Sequence, residues 1–360
     1  MKLKYIFTLL FFLLLFSCND SDIGIFYGLK NEEKIKDGSL PNNVTVGSMT
    51  RIGTSLYIAS GSIYTKPSAI TNIDVDWSPI SPPSGFDLSL SLASDGTDLY
   101  AIYYTRNSVN KGFFRLDGTG WEKIDTNIQG TIEDVKSAGT KIFVSTRINS
   151  NSGKLYYYDG TTTPPEIIPD MIGSSFDVIF DGGSYWISNY HKIFELDLFL
   201  NPVSTPLSLD PLWEIKGLME FDGNIYFTYW NRRNLTGYIA FINGDTITSQ
   251  GIGSFMLNGL KVFTIEGIDH DYPYLLCGTS GRGYYQTVLH PSINLDLQRP
   301  RSNDGLSVNY NSAVNLQSAV VLDFFMDPPN DPNGHLYALT ATRGLWKNTE
   351  SGGSRAWSIE

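Results

Sequence analysis

Lys141-Ile-Phe-Val-Ser-Thr-Arg147, then Ile148-Asn-Ser-Asn-Ser-Gly153, then Lys154-Leu-Tyr-Tyr-Tyr158 decides the fold. The first segment alternates in and out as a half-buried strand does, and its β-branched and aromatic residues suit a pleated surface. A polar turn follows, and then a second aromatic strand. Asp159-Gly160 reads as a tight hairpin turn, because glycine supplies the positive φ that such turns demand. Glu166-Ile-Ile168 makes an outer strand, so Thr131 to Asp170 is one multi-stranded unit.

The unit recurs along the chain. Its aliphatic-aromatic pair appears as Leu56-Tyr57, Leu99-Tyr100, Ile142-Phe143, Tyr185-Trp186, Ile225-Tyr226, Tyr274-Leu275 and Leu336-Tyr337, in steps of 43, 43, 43, 40, 49 and 62 residues. A period of roughly 40–50 residues with several strands per unit is the mark of a β-propeller. The expected fold is all-β: one seven-bladed propeller of four-stranded antiparallel blades over residues 46–360. No stretch has a convincing helical period. Glu214 to Phe221 comes nearest, and Gly217 inside it argues against a helix. The two long steps place insertions at Leu289–Asn311 and Asp327–Gly334, expected as surface loops, where added length costs little.

The N-terminus reads as a targeting segment. Lys2 and Lys4 precede an apolar run from Tyr5 to Phe16, too short to span a bilayer, which takes about 20 residues. The run ends in Leu15-Phe16-Ser17-Cys18. That sequence resembles the lipobox of bacterial lipoproteins, with Phe16 where a small residue is usual. The resemblance implies cleavage before Cys18, acylation (palmitate included) of Cys18, and a lipid anchor in a bacterial cell envelope, either periplasmic or surface-exposed. Residues 1–17 are then a signal peptide and 18–45 a lipidated tether. Ile23-Gly-Ile-Phe-Tyr-Gly-Leu29 within the tether is a candidate ring-closing strand. The one other cysteine, Cys277, sits in an apolar strand and reads as a small buried hydrophobe. With Cys18 acylated no intramolecular disulfide remains, and packing must hold the fold.

Composition narrows the partners. Formal charge is −11, and it becomes −13 once Lys2 and Lys4 leave with the signal. An acidic chain lacks the basic footprint that nucleic acid requires. It also gains nothing from anionic headgroups, so the membrane is reached through the lipid alone. The four histidines, His191, His270, His290 and His335, are scattered without metal-ligand spacing. Asp327, Asn330, Asp331 and Asn333 form an oxygen-rich loop, yet Pro328, Pro329 and Pro332 make a rigid turn the plainer reading. No glycine-rich phosphate loop is present. No cofactor and no metal are expected, and the body is expected to be a monomer.

In the last unit, Met326-Asp327-Pro328, Asn333-Gly-His-Leu-Tyr337 and Arg343-Gly-Leu-Trp346 through Glu350-Ser-Gly-Gly-Ser-Arg-Ala-Trp357 resemble a repeat of the sialidase-like, Asp-box propellers. Gly278-Thr-Ser-Gly-Arg-Gly-Tyr-Tyr285 is similar in the sixth unit. The box is degraded, with Glu350 where Asp is expected and Trp357 two residues late. The likeness supports the fold and says little about chemistry. Sialidases would need an arginine triad, for which Arg282 and Arg343 are candidates, together with a Tyr-Glu pair that does not stand out.

One pattern points to function. A basic residue recurs just after the second strand of most units: Arg106, Arg147, His191 with Lys192, Arg232 with Arg233, Arg282 and Arg343. In a propeller those turns share a face with the connections between blades. Guanidinium forks there suit carboxylate, sulfate or phosphate, and so an acidic glycan or protein. The competing reading is that each cation pairs with a carboxylate of its own blade, a surface contact worth about 0–1 kcal/mol. No residue is singled out as catalytic: a glycosidase needs two carboxylates facing across a sugar, and the sequence selects no pair. Asp269-His270-Asp271 reads as a turn. The expected function is a lipid-anchored binding or scaffolding module, against two alternatives: a glycoside hydrolase acting on extracellular polysaccharide, or a periplasmic outer-membrane assembly factor.

Overall fold

The computed structural model describes residues 40, 44–68, 75–106, 111–124, 127–161, 164–243, 246–263, 273–289, 295, 297–300, 314–328, 334–351 and 354–360. These belong to one compact unit, Ser39–Glu360. The signal peptide, Cys18 and the Ile23–Leu29 segment lie outside the described residues, as do Asp269-His270-Asp271 and Asn330, Asp331 and Asn333. Among the described residues no helix is long and apolar enough to cross a membrane.

The chain folds into seven antiparallel sheets arranged as a propeller. The first blade is β1 (Ser48–Ile52), β2 (Ser55–Ser60), β3 (Ser62–Pro67) and β4 (Ser78–Ile80). The second is β5 (Leu88–Ser94), β6 (Leu99–Tyr104), β7 (Lys111–Leu116) and β8 (Trp121–Lys123). The third is β9 (Thr131–Ala138), β10 (Lys141–Arg147), β11 (Ser152–Tyr158) and β12 (Glu166–Ile172). The fourth is β13 (Asp177–Phe180), β14 (Tyr185–Asn189), β15 (Lys192–Leu196) and β16 (Leu207–Ser208). The fifth is β17 (Trp213–Phe221), β18 (Asn224–Asn231), β19 (Thr236–Asn243) and β20 (Thr246–Gly253). The sixth is β21 (Leu257–Phe263), β22 (Tyr274–Thr279) and β23 (Tyr284–Val288). The seventh is β24 (Val321–Asp327), β25 (His335–Thr340), β26 (Leu345–Ser351) and β27 (Ser354–Ile359).

Each recurring aliphatic-aromatic pair lies on the second strand of its blade, and the unit predicted at Thr131–Asp170 is the third blade. Strands run in sequence order from the innermost outward within each sheet. The first strands touch their neighbours in turn, β1 to β5, β5 to β9, β9 to β13, β13 to β17, β17 to β21, β21 to β24 and β24 to β1, which closes the ring around a channel.

Seven apolar clusters, mostly straddling neighbouring blades, hold the ring together. Phe143, wholly buried, packs with Phe176, Val178, Tyr185 and Ile187 of the next blade. Tyr100 lies with Val135 and Ile142, and Tyr226 with Leu257 and Leu275. Cys277 is fully buried in that last cluster, and burial keeps its thiol protonated.

The four-stranded antiparallel blade is the rule, and in the sixth blade the fourth position is marked among the described residues by a bridge, where Gln286 and Gln298 exchange two backbone hydrogen bonds of 2.8 Å. Pro300 follows closely and cannot donate to a ladder. Two expectations are corrected. The insertion at Leu289–Asn311 is not all surface loop, because Leu289, Leu295 and Leu297 are buried against that blade; beyond it Val314–Gln317 forms a single helical turn, α1. Asp159-Gly160 begins a wider connection than a tight hairpin, because β11 ends at Tyr158 and β12 starts at Glu166.

The seam between the first and last blades combines apolar packing of Leu56, Ile58 and Trp77 against Tyr337, Leu339 and Leu345 with a polar network. Val46 N donates to Thr340 O at 2.9 Å, and Gly344 N to Val44 O at 3.2 Å. Asp327, expected in a surface loop, is fully buried, and it accepts from Arg51 at 3.0 Å and from Ser68 Oγ at 2.7 Å. Lys66, almost wholly buried, reaches Glu360 at 2.6 Å and lies 4.8 Å from the Trp77 ring centre. Glu360 also accepts from Trp77 Nε1 at 3.1 Å and pairs with Lys347 at 3.3 Å. Burial opposes ionisation of Glu360, but Lys66 and Lys347 outweigh it and hold its carboxyl below the usual range.

Candidate functional site: a cationic rim and a charged channel

The turns joining second to third strands lie beside the connections that join one blade to the next. Backbone hydrogen bonds show this directly: Arg232 N to Leu212 O at 2.9 Å, Gly173 N to Asn151 O at 3.2 Å, Gly283 N to Ala319 O at 3.0 Å and Ala341 N to Val320 O at 3.0 Å. The recurring cations therefore sit on one face.

Local sequence builds these turns in two ways. In the last two blades a Thr-x-x-Arg-Gly pattern repeats. Thr279 Oγ1 donates to Gly283 O at 2.8 Å and accepts from Arg282 N at 3.0 Å; Thr340 Oγ1 donates to Gly344 O at 2.7 Å and accepts from Arg343 N at 2.9 Å. Gly283 and Gly344 have φ of 69° and 72°, a region that side chains avoid. In the third and fifth blades asparagine does the folding. Asn149 Oδ1 accepts from Asn151 N at 2.9 Å and Ser152 N at 3.0 Å, and Asn231 Oδ1 accepts from Arg233 N at 2.9 Å.

The cations differ in what they face. Arg147 pairs with Glu133 at 2.6 Å, and Lys111 binds the same carboxylate. Arg232 forms a fork on Glu214 Oε2, with Nε at 3.2 Å and Nη2 at 3.0 Å, and stacks 4.9 Å over Tyr190. Lys216 takes the other oxygen of Glu214 at 2.5 Å. Both glutamates stand on first strands, so each blade supplies its own counter-charge. Arg106, Arg233 and Arg282 are exposed and have no carboxylate ion pair among the described residues; Arg282 stacks 4.9 Å over Phe255. Arg343 is half-buried, and its carbonyl accepts from Trp346 Nε1 at 3.0 Å. Lys192 opens β15. His191 is buried, and burial and then Lys192 lower its tendency to take up a proton. Exposed Ile148, Ile172, Leu212 and Leu235 lie in or beside the same turns.

The channel is a second polar feature, about 650 Å³ in volume and lined by the first strands of all seven blades. Ser48, Ser91, Asp134 and Asp177 occupy one level of it, each 43 residues after the last, and Asp323 takes the equivalent place in β24. These side chains bond across to the following blade. Ser48 Oγ accepts from Leu92 N at 2.8 Å, Ser91 Oγ from Val135 N at 3.1 Å, and Asp177 Oδ2 from Leu218 N at 2.8 Å. Ser91 Oγ also donates to Asp134, and Lys136 Nζ meets Asp177 Oδ1 at 3.0 Å. Burial pushes Asp134 up. Burial opposes the charge on Lys136 as well, but Asp177 and Asp134 prevail and raise it. Asp323 is pushed up to about 6, first by enclosure in protein and then by Asp177. Composition and motifs do not single out these residues. The 43-residue step that revealed the strands runs through Ser48, Ser91, Asp134 and Asp177 too, and was the available signal. Among the described residues no group of three or more His, Cys, Asp or Glu could hold a metal ion.

No family model matches the sequence, and no curated protein matches it. Solved structures do. An ancestral GH74 enzyme superposes with a TM-score of 0.62 at 11 % identity, over 88 % of this chain and 46 % of its own. The chain thus spans less than half of that enzyme. YCF48 bound to D1 peptide superposes with a TM-score of 0.57 at 12 % identity, over 89 % of this chain and 93 % of its own. At these identities the likeness is one of fold.

Proposed function

We propose that this chain is a lipid-anchored, exported propeller that binds an acidic polypeptide on its rim and carries out no catalysis. The observation that carries the reading is the division among the rim cations. Glu133 and Glu214 neutralise Arg147 and Arg232, while Arg106, Arg233 and Arg282 are exposed without a carboxylate partner among the described residues. An acidic chain that presents bare arginines beside exposed Ile148, Leu212 and Leu235 has the mix of cationic and apolar groups that a protein contact uses. YCF48 bound to D1 peptide supports a polypeptide occupant, since that fold neighbour of nearly this length holds a peptide.

Titration with a poly-glutamate peptide tests the proposal. Binding should weaken as salt rises, because exposed charges are screened over about 8–10 Å. Arg106→Gln with Arg282→Gln should abolish it without unfolding the protein, and Glu133→Gln should strengthen it by releasing Arg147. Binding that ignores both changes would remove the rim from the account. Turnover of a fluorogenic glycoside, lost on replacing one carboxylate, would restore the hydrolase alternative.

A further inference from the structure

Of the charged side chains discussed in the channel, most have partners. Lys136 has Asp177, and Asp134 has Ser91 and the Val135 amide. Two remain. Lys261 on β21 is half-buried beside the channel, and no hydrogen bond or ion pair reaches its ammonium among the described residues. Asp323, on the neighbouring β24, accepts one bond from its own strand, Phe324 N at 2.8 Å, and forms no ion pair there. Both line the channel.

The two feel each other without touching. Asp323 favours the charged form of Lys261, but burial outweighs it and pulls the lysine down. The placement of Asp323 is specific, because a Cβ on Gly259 would come within 2.3 Å of its Oδ1. The sixth blade thus keeps a bare backbone where the seventh lays its carboxylate. An unpaired cation and an unpaired anion on neighbouring first strands, both facing one channel, offer complementary ends to a single ligand. The channel has a volume in the range of small-molecule sites.

We propose that the channel binds a small organic acid bearing a hydrogen-bond donor, of the α-amino or α-hydroxy acid class, with its carboxylate on Lys261 and its donor on Asp323. Specificity follows from the pairing. Acetate satisfies only the lysine and methylammonium only the aspartate. The other charged groups lining the space, Lys136, Asp134, Asp177, Lys216 and Glu220, are already engaged.

The experiment is a thermal-shift titration of the full chain at constant ionic strength with glycine, glycolate, acetate and methylammonium. Glycine or glycolate should raise the melting temperature progressively with concentration, as linkage requires, and acetate and methylammonium should do so less. Lys261→Met with Asp323→Asn removes both charges while keeping their shapes, so it should fold and lose the response. An equal response to acetate would overturn the two-point site. So would an undiminished response in the double variant, or no response to either acid. Rim variants leave this readout unchanged, so its failure is separable from failure of the peptide-binding proposal.

Discussion

Arg51 of the first blade donates to Asp327 of the last at 3.0 Å, across 276 positions of sequence. The carboxylate is wholly buried and the arginine partly exposed, at 0 % and 21 % of their side-chain surface. Breaking such a pair from one side leaves a buried charge uncompensated. Arg51→Met should therefore cost about 3 kcal/mol, and adding Asp327→Asn should recover part of it. Urea denaturation of both variants checks this; additive losses would show that the two residues do not interact.

Packing between blades gives a larger effect. Phe143 is fully buried against the fourth blade, and truncation to Ala should cost about 3–5 kcal/mol through lost burial and the cavity left behind. Asn149→Ala in the adjacent turn should cost less, about 1 kcal/mol, because it removes the acceptor for two backbone amides. Melting temperatures that fall equally would contradict the packing account.

Two titratable groups of the last blade give opposed pH dependences over one window. His335 is held down at about 4 from 6.5, first by burial and then by Lys347, against Asp327. The unfolded chain therefore binds more protons between those values, and stability falls as pH drops from 6.5 toward 4. Asp323, raised from 3.8 to about 6, takes up its proton first in the folded state, which adds stability as pH drops through the same range. His335→Gln should flatten the acid-side loss and Asp323→Asn should steepen it. Melting curves from pH 7 to pH 4 decide, and a reversed order of slopes would refute the assignment.

Cys18 tests the anchor. Cys18→Ser should leave the protein unprocessed or soluble and free of a labelled acyl chain. Full partition of the variant into detergent, with label retained, would exclude lipid attachment at this residue.

How much the sequence disclosed depended on distance along the chain. The strand pairs were legible because pleating is local and recurs in steps of 40 to 62 residues, the first three of them 43. The turn cations were legible for the same reason, and they do share a face. Their counter-charges were not, since Glu133 and Glu214 lie on first strands and meet Arg147 and Arg232 only once the sheets form. The seam was hidden for a stronger version of that reason: Lys66 and Glu360 are 294 residues apart. The burial of Leu295 and Leu297 was masked by their polar neighbours and by a spacing that breaks the repeat.

Among the described residues every blade draws its strands from one contiguous stretch, and no ladder of hydrogen bonds crosses between Arg51 and Asp327. The ring is in this respect a split washer. The cut is closed by a mixed clasp: backbone bonds from Val46 to Thr340 and from Gly344 to Val44, apolar packing of Leu56 and Trp77 against Tyr337 and Leu339, and the pairs of Arg51 with Asp327 and of Lys66 with Glu360. Of these only the ion pairs answer to acid, so protonating their carboxylates loosens one part of the clasp and leaves the other two in place.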